Sequence, residues 1–141
     1  MEATSDSAGS LTAVGAASGV LTAAALGFAA HRAGASAGIV ALVAAVSGVG
    51  AVLFVPYLVR LDRFGHADTD EIRWRVNPGA AGAALAATGF VVLALWLIFE
   101  EPLFAAGIGV PLAALEFAIW SLALPRAARS PKETPPIHRQ G

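Results

Sequence analysis

The sequence predicts an all-α protein in which four helices cross a membrane and pack as a bundle. Of the 141 residues, 57% are apolar and only 13% are charged, whereas a soluble domain carries about 25% charged residues. Long stretches without charge alternate with short charged segments. A helix rises 1.5 Å per residue, so about 20 apolar residues cross the ~30 Å hydrocarbon core of a bilayer. The stretches are Ser7–His31, Ala33–Val59, Val76–Phe99 and Pro102–Pro125, the last broken only by Glu116.

These stretches leave no room for a separate soluble domain, so we expect residues 1–124 to form a single transmembrane domain. The C-terminal residues 125–141 are rich in proline and basic groups, a composition typical of a disordered tail. The four spans are expected at about residues 11–30, 34–59, 77–99 and 102–124.

The connection between the second and third spans is the only substantial loop. Asp68 followed by Glu71 has the spacing of a capping box and predicts a short helix at the membrane interface. Asn77 followed by Pro78 is a favourable start for the third span, because asparagine caps a helix and proline fits its first position.

Basic residues are distributed very unevenly between the two ends of the predicted spans. Four lie between the second and third spans and four in the C-terminal tail, which makes eight of nine on one side of the membrane. Short cytoplasmic loops retain Lys and Arg. We therefore expect a multi-pass protein of the cell membrane with both termini in the cytoplasm.

Composition also narrows the function classes. The net charge of −1 indicates no nucleic-acid partner, and the absence of cysteine removes thiolate nucleophiles and cysteine metal sites. No Ser–His–Asp set, phosphate-binding loop or metal-ligand spacing appears in the sequence. We therefore expect no enzyme, no cofactor and no bound metal.

Small residues recur every four positions along the predicted spans. Membrane helices associate through close backbone approach, which such residues permit. The stripes are interpreted either as packing within the bundle or as docking surfaces for a partner chain or a second copy. The positions are Gly15, Gly19, Ala23 and Gly27 in the first span, Gly34 and Gly38 in the second, and Gly109 in the fourth.

Glu116 is the most function-like residue of the sequence. It lies near mid-membrane in the fourth span, and no Lys, Arg or His occurs at that depth in another span. A charged acid at the helix centre costs roughly 2.5–3.5 kcal/mol, so we expect the neutral form. Counting inward from each interface places four hydroxyl groups at matching depth, those of Ser18, Thr22, Ser47 and Thr88.

Three hypotheses fit this carboxyl group. It could hydrogen-bond these hydroxyls and hold the helices in register, or bind a group on a partner subunit. It could also take up and release a proton or cation, for which Pro111 provides a break in the same helix.

The sequence as a whole favours a non-enzymatic accessory or interaction protein that packs with itself or within a larger membrane complex. The alternative is a proton- or cation-coupled transporter or channel component that uses Glu116.

Overall fold

A computed structural model describes residues 2–65 and 76–127, with side chains from residue 8 onward. It contains four α-helices, each long and apolar enough to cross a membrane, which confirms the predicted all-α class and four spans. The predicted interfacial helix and most of the predicted C-terminal tail lie outside the described residues. The helices are α1 (Glu2–Arg32), α2 (Ala37–Phe64), α3 (Pro78–Phe99) and α4 (Pro102–Ala123).

The first connection is set by two residues. Gly34 has a φ of +85°, a left-handed conformation that glycine adopts without a steric penalty. Ser36 then caps α2, and its hydroxyl oxygen accepts a hydrogen bond from the Ile39 amide at 3.5 Å. These two signals start α2 three residues later than the predicted span.

The other helix starts follow the sequence signals. The Asn77 side-chain oxygen accepts a hydrogen bond from the Gly79 amide at 3.0 Å, and Pro78 occupies the first position of α3. Pro102 takes the same position in α4. Between them, Glu100 ends α3 in the left-handed conformation, and its amide bonds to the Trp96 carbonyl at 2.8 Å.

Two helices extend beyond the apolar stretches from which they were predicted. The helix α1 begins at Glu2 rather than near residue 11, and α2 continues past Val59 to Phe64. Intrahelical hydrogen bonds do not end at the hydrocarbon boundary, so hydropathy marks the membrane-embedded part of a helix and not its full length. Arg60 and Arg63 therefore extend from the last turns of a helix and not from a loop.

The four helices pack in chain order as a row. Each of the three consecutive pairs forms an extensive interface, α1 with α2, α2 with α3 and α3 with α4, whereas α1 and α4 do not touch. In a closed four-helix bundle the first and last helices would be neighbours. The two outer helices thus each have one main partner, and α4 is the least buried of the four.

The antiparallel interface between α1 and α2 follows the small-residue stripe of α1. A Cβ at Gly15 would lie 2.8 Å from the Pro56 ring, Gly19 faces Val52, and a Cβ at Gly27 would lie 3.1 Å from that of Ala44. Each contact four residues further along α1 involves a residue of α2 that is four positions nearer the start of that helix. The spacing of the stripe therefore matches the interface along its whole length.

The interface between α2 and α3 is tighter and uses a different face of α2. A Cβ at Gly82 would lie 2.6 Å from the Phe54 amide nitrogen and 2.8 Å from the Gly50 carbonyl oxygen. Further along, a Cβ at Gly79 would lie 2.6 Å from the Tyr57 ring. Glycine on both helices lets the two backbones meet directly.

Candidate functional site

Glu116 lies on the outer helix α4, where its side chain is half-buried against α3. Its Oε2 atom is 3.3 Å from the hydroxyl oxygen of Thr88, a buried residue of α3. The same hydroxyl oxygen lies 2.7 Å from the Ala84 carbonyl oxygen. Carboxyl, hydroxyl and carbonyl thus form a short chain of hydrogen-bonding groups between the two helices.

The direction of these hydrogen bonds follows from the number of protons available. A threonine hydroxyl has one proton to donate, and a carbonyl oxygen only accepts. Thr88 is therefore the donor toward both acceptors, the Ala84 carbonyl oxygen at 2.7 Å and Glu116 Oε2 at 3.3 Å, and its one proton is shared between them.

The second carboxyl oxygen, Oε1, has no hydrogen-bond partner among the residues that the structure describes. It is also not enclosed by protein, because the only buried polar side-chain atom without a partner in the described ranges is the Ser47 hydroxyl. Glu116 therefore joins α4 to α3 and leaves one carboxyl oxygen accessible at the surface of the described chain.

The other predicted hydroxyl partners lie elsewhere. Ser18 donates to the Gly15 carbonyl at 2.9 Å and lies 3.4 Å from the Ala51 carbonyl, at the α1–α2 interface. Thr22 is also on α1, which does not touch α4. Ser47 is fully buried where α2 meets α3 and forms no hydrogen bond there. Of the four hydroxyls at matching depth, the structure brings only that of Thr88 to Glu116.

The predicted packing positions also separate into two groups. Gly109 of α4 packs on α3, where a Cβ would lie 2.6 Å from the Val92 side chain, and Gly48 of α2 faces Ala23 of α1. Gly34 and Gly38, by contrast, have open space where a Cβ would be. Among the described residues, these two glycines line no helix contact.

A shallow groove runs along the membrane-embedded part of α2, α3 and α4. It has a volume of about 210 Å³, and Thr88 contributes its only polar side chain. Glu116 does not line this groove. The described residues therefore provide no chain of polar groups that leads through the groove to the carboxyl.

A second site lies at the end of the row where α2 and α4 finish, and no local pattern in the sequence predicts it. The Tyr57 hydroxyl donates to the Pro125 carbonyl at 2.5 Å, and the Asn77 amide nitrogen donates to the Leu124 carbonyl at 3.3 Å. These partners are 68 and 47 residues apart in the chain. The segment after α4 is thereby held against α2 and α3, beside a cleft.

Within residues 2–65 and 76–127 no group of three or more His, Asp or Glu side chains is placed to hold a metal ion. Comparison of the chain with protein-family models, with curated proteins and with solved structures found no match.

Proposed function

We propose that this chain is a non-enzymatic, multi-pass protein of the cell membrane that assembles with a partner polypeptide through α4. The partner is a second copy of the chain or a subunit of a larger membrane complex. The single observation that carries the proposal is the accessible carboxyl oxygen of Glu116 on a helix with one main neighbour.

The surroundings of α4 determine what an unpaired carboxyl oxygen on this helix costs. A bilayer core offers no water to an unpaired polar atom, and each unsatisfied group there costs several kcal/mol. Ionisable residues inside membrane spans accordingly face the protein interior or a partner. The Oε1 atom has neither within the described chain, so a donor on a partner helix lowers the cost. The small residues Ala105 and Gly109 of the same helix are buried within the chain, where Gly109 packs on α3. They are therefore not available to a partner helix.

The orientation proposed for this assembly places both termini in the cytoplasm. Antiparallel neighbours bring the start of α1 and the ends of α2 and α4 to one end of the row. Arg60, Arg63 and Arg126 lie at that end, and Arg32 at the other. Cytoplasmic retention of basic residues supports this orientation.

The test is the assembly state of the purified protein. The chain is extracted in a mild detergent, transferred to lipid nanodiscs and weighed by native mass spectrometry. We expect a complex of fixed stoichiometry, formed either by copies of this chain or by this chain and a co-purifying polypeptide. Replacement of Glu116 by Leu is expected to weaken association by about three- to tenfold, the range for one interhelical hydrogen bond in a membrane.

Two further variants make the result specific. Glu116→Gln keeps a neutral hydrogen-bonding group and should assemble nearly as the wild type does. Leu122→Ala alters the most exposed large side chain of α4, which is 90% exposed, and controls for a general change of the helix surface. A wild-type protein that is monomeric and free of partners, or a Leu122 variant as defective as the Glu116→Leu variant, would overturn the proposal.

A second candidate function is proton- or cation-coupled transport. The observation that favours it is the hydrogen bonding of Thr88 to both Ala84 and Glu116, together with Pro111, which lies within α4 five residues before Glu116. Proteoliposomes with an internal pH or cation indicator would measure the flux. Transport requires a flux that Glu116→Gln abolishes while assembly stays intact, and equal permeability of the two proteins excludes it.

A further inference from the structure

A cleft of about 360 Å³ opens at the end of the row, between α1, α2, the start of α3 and the segment after α4. Arg60 of α2 and Arg126 of that segment both line it, and among the described residues no acidic side chain does. Asp62, the nearest acid along α2, is exposed and lies outside the cleft. The charged side chains of the described lining are therefore all positive.

The position of Arg126 is fixed by its neighbours. Leu124 and Pro125 are bound through their carbonyl oxygens to the side chains of Asn77 and Tyr57. Tyr57 is itself buried against Gly79. Because two buried side chains hold the preceding residues, the backbone of Arg126 is anchored at the mouth of the cleft.

Neither guanidinium group is neutralised by the described part of the chain. Arg60 and Arg126 form no ion pair and no hydrogen bond with any described residue. Two like charges on one cleft repel each other, and an anion bound between them removes that repulsion. Guanidinium groups bind phosphate through paired hydrogen bonds, which makes phosphate the preferred anion.

The remaining wall of the cleft is mostly apolar, and its polar side chains are Thr12, Tyr57 and Asn77. Leu11 of α1 and Val52 and Leu53 of α2 extend the cleft from the arginine-lined mouth along the membrane-embedded part of the helices. A free phosphate ion makes no use of such a wall, whereas an acyl chain does, at about 0.8 kcal/mol for each buried CH₂ group. Because the mouth is cationic and the wall is mostly apolar, we infer that this cleft binds an anionic phospholipid, with the phosphate between the two arginines.

The test is lipid binding to the full-length protein in detergent, measured by native mass spectrometry during titration with phosphatidylglycerol. The double variant Arg60→Gln/Arg126→Gln should bind about 25-fold more weakly, since each arginine at a membrane surface contributes roughly fivefold. The matched control is Arg63→Gln, which removes a charge from the same turn of α2 but does not line the cleft. Its affinity should change less than twofold.

A third variant separates the lipid from other sources of phosphate. Thr12→Trp fills the cleft from an exposed position of α1 and leaves both arginines in place, so it should also weaken phosphatidylglycerol binding. An equal loss of phosphatidylglycerol affinity in Arg63→Gln would show that the lipid is attracted by surface charge in general, and it would overturn the inference. Equal binding of phosphatidylcholine, or displacement of the lipid by millimolar inorganic phosphate, would overturn it as well.

Discussion

Ser47 of α2 lies directly against Gly89 of α3, and its hydroxyl oxygen occupies the space that a Cβ at residue 89 would need. The hydroxyl is fully buried and has no hydrogen-bond partner in the described part of the chain. The contact thus combines a steric requirement for glycine on α3 with an unpaired polar atom on α2, and both effects can be measured.

Gly89→Ala is expected to destabilise the fold by about 1–3 kcal/mol, because the added methyl group overpacks the interface. Ser47→Ala should be neutral or stabilising by itself, since it removes a buried unsatisfied hydroxyl. It should also restore much of the stability lost in the Gly89 variant. Reversible unfolding in mixed micelles measures all three proteins. Gly107→Ala, at a position with open space, is the control, and equal stability of the two alanine variants would contradict the contact.

Gly82→Ala should destabilise the fold more than Gly89→Ala does, because the neighbours of Gly82 are backbone atoms. A Cβ there meets the Phe54 amide and the Gly50 carbonyl, so no side-chain rotation relieves the clash and the helices must separate. We expect a loss of about 3 kcal/mol, at the upper end of overpacking effects. Gly38→Ala, which meets no neighbour, should be unchanged or gain up to about 1 kcal/mol of helix stability. Thermal unfolding in detergent compares the pair, and the prediction fails if both variants melt alike.

Tyr57→Phe removes the hydrogen bond to Pro125 and keeps the ring that packs on Gly79. One such bond contributes about 0.5–1.5 kcal/mol, so the segment after α4 should open about fivefold more often. Trypsin cleavage after Arg126 reports this opening, and cleavage after Arg63 in the same sample is the internal reference. An unchanged ratio of the two rates would show that the bond does not hold the segment.

The sequence predicts a neutral Glu116, because a charged acid at the centre of a membrane helix is costly. Infrared spectra should then contain the carbonyl band of a protonated carboxyl group at neutral pH, and the band should be absent from Glu116→Gln. Thr88→Val keeps the acid but removes its hydrogen-bonding hydroxyl, so the band should shift rather than vanish. A carboxylate band that Glu116→Gln removes would instead assign the charged form.

The proposed topology can be tested because the sequence has no cysteine. Single cysteines are introduced at Glu101, in the α3–α4 turn, and at Arg63, near the end of α2. A maleimide that cannot cross the membrane should label the first variant in intact cells and the second only after permeabilisation. Labelling in the opposite order would place both termini outside the cell.

Hydropathy was sufficient to predict the four helices, since burial in lipid requires long uncharged stretches whatever the helices contact. The start of α3 was predictable for a local reason, because Asn77 and Pro78 act on adjacent backbone groups. The side-chain partners across helices were not predictable from the sequence. Depth in the membrane gives a height along the helix and no direction around it, so Ser18 and Ser47 share the level of Glu116 but face other interfaces.

The closest helix contact was missed for a related reason. A stripe of small residues every four positions is a property of one helix and does not identify the surface that packs on it. The α2–α3 interface instead places Gly82 against the backbone of Gly50 and Phe54 and Gly79 against the Tyr57 ring, and such complementarity exists only in the pair. The Tyr57–Pro125 bond is likewise invisible in a sequence, where its partners are 68 residues apart.

A row of helices has two faces and two edges, and its buried residues lie between neighbouring helices rather than around a central space. With α1 and α4 apart, the four described helices do not enclose a passage on all sides. Any conduit built from this chain needs a second polypeptide to complete its circumference. A solitary copy should therefore leave a vesicle as tight as bare lipid does.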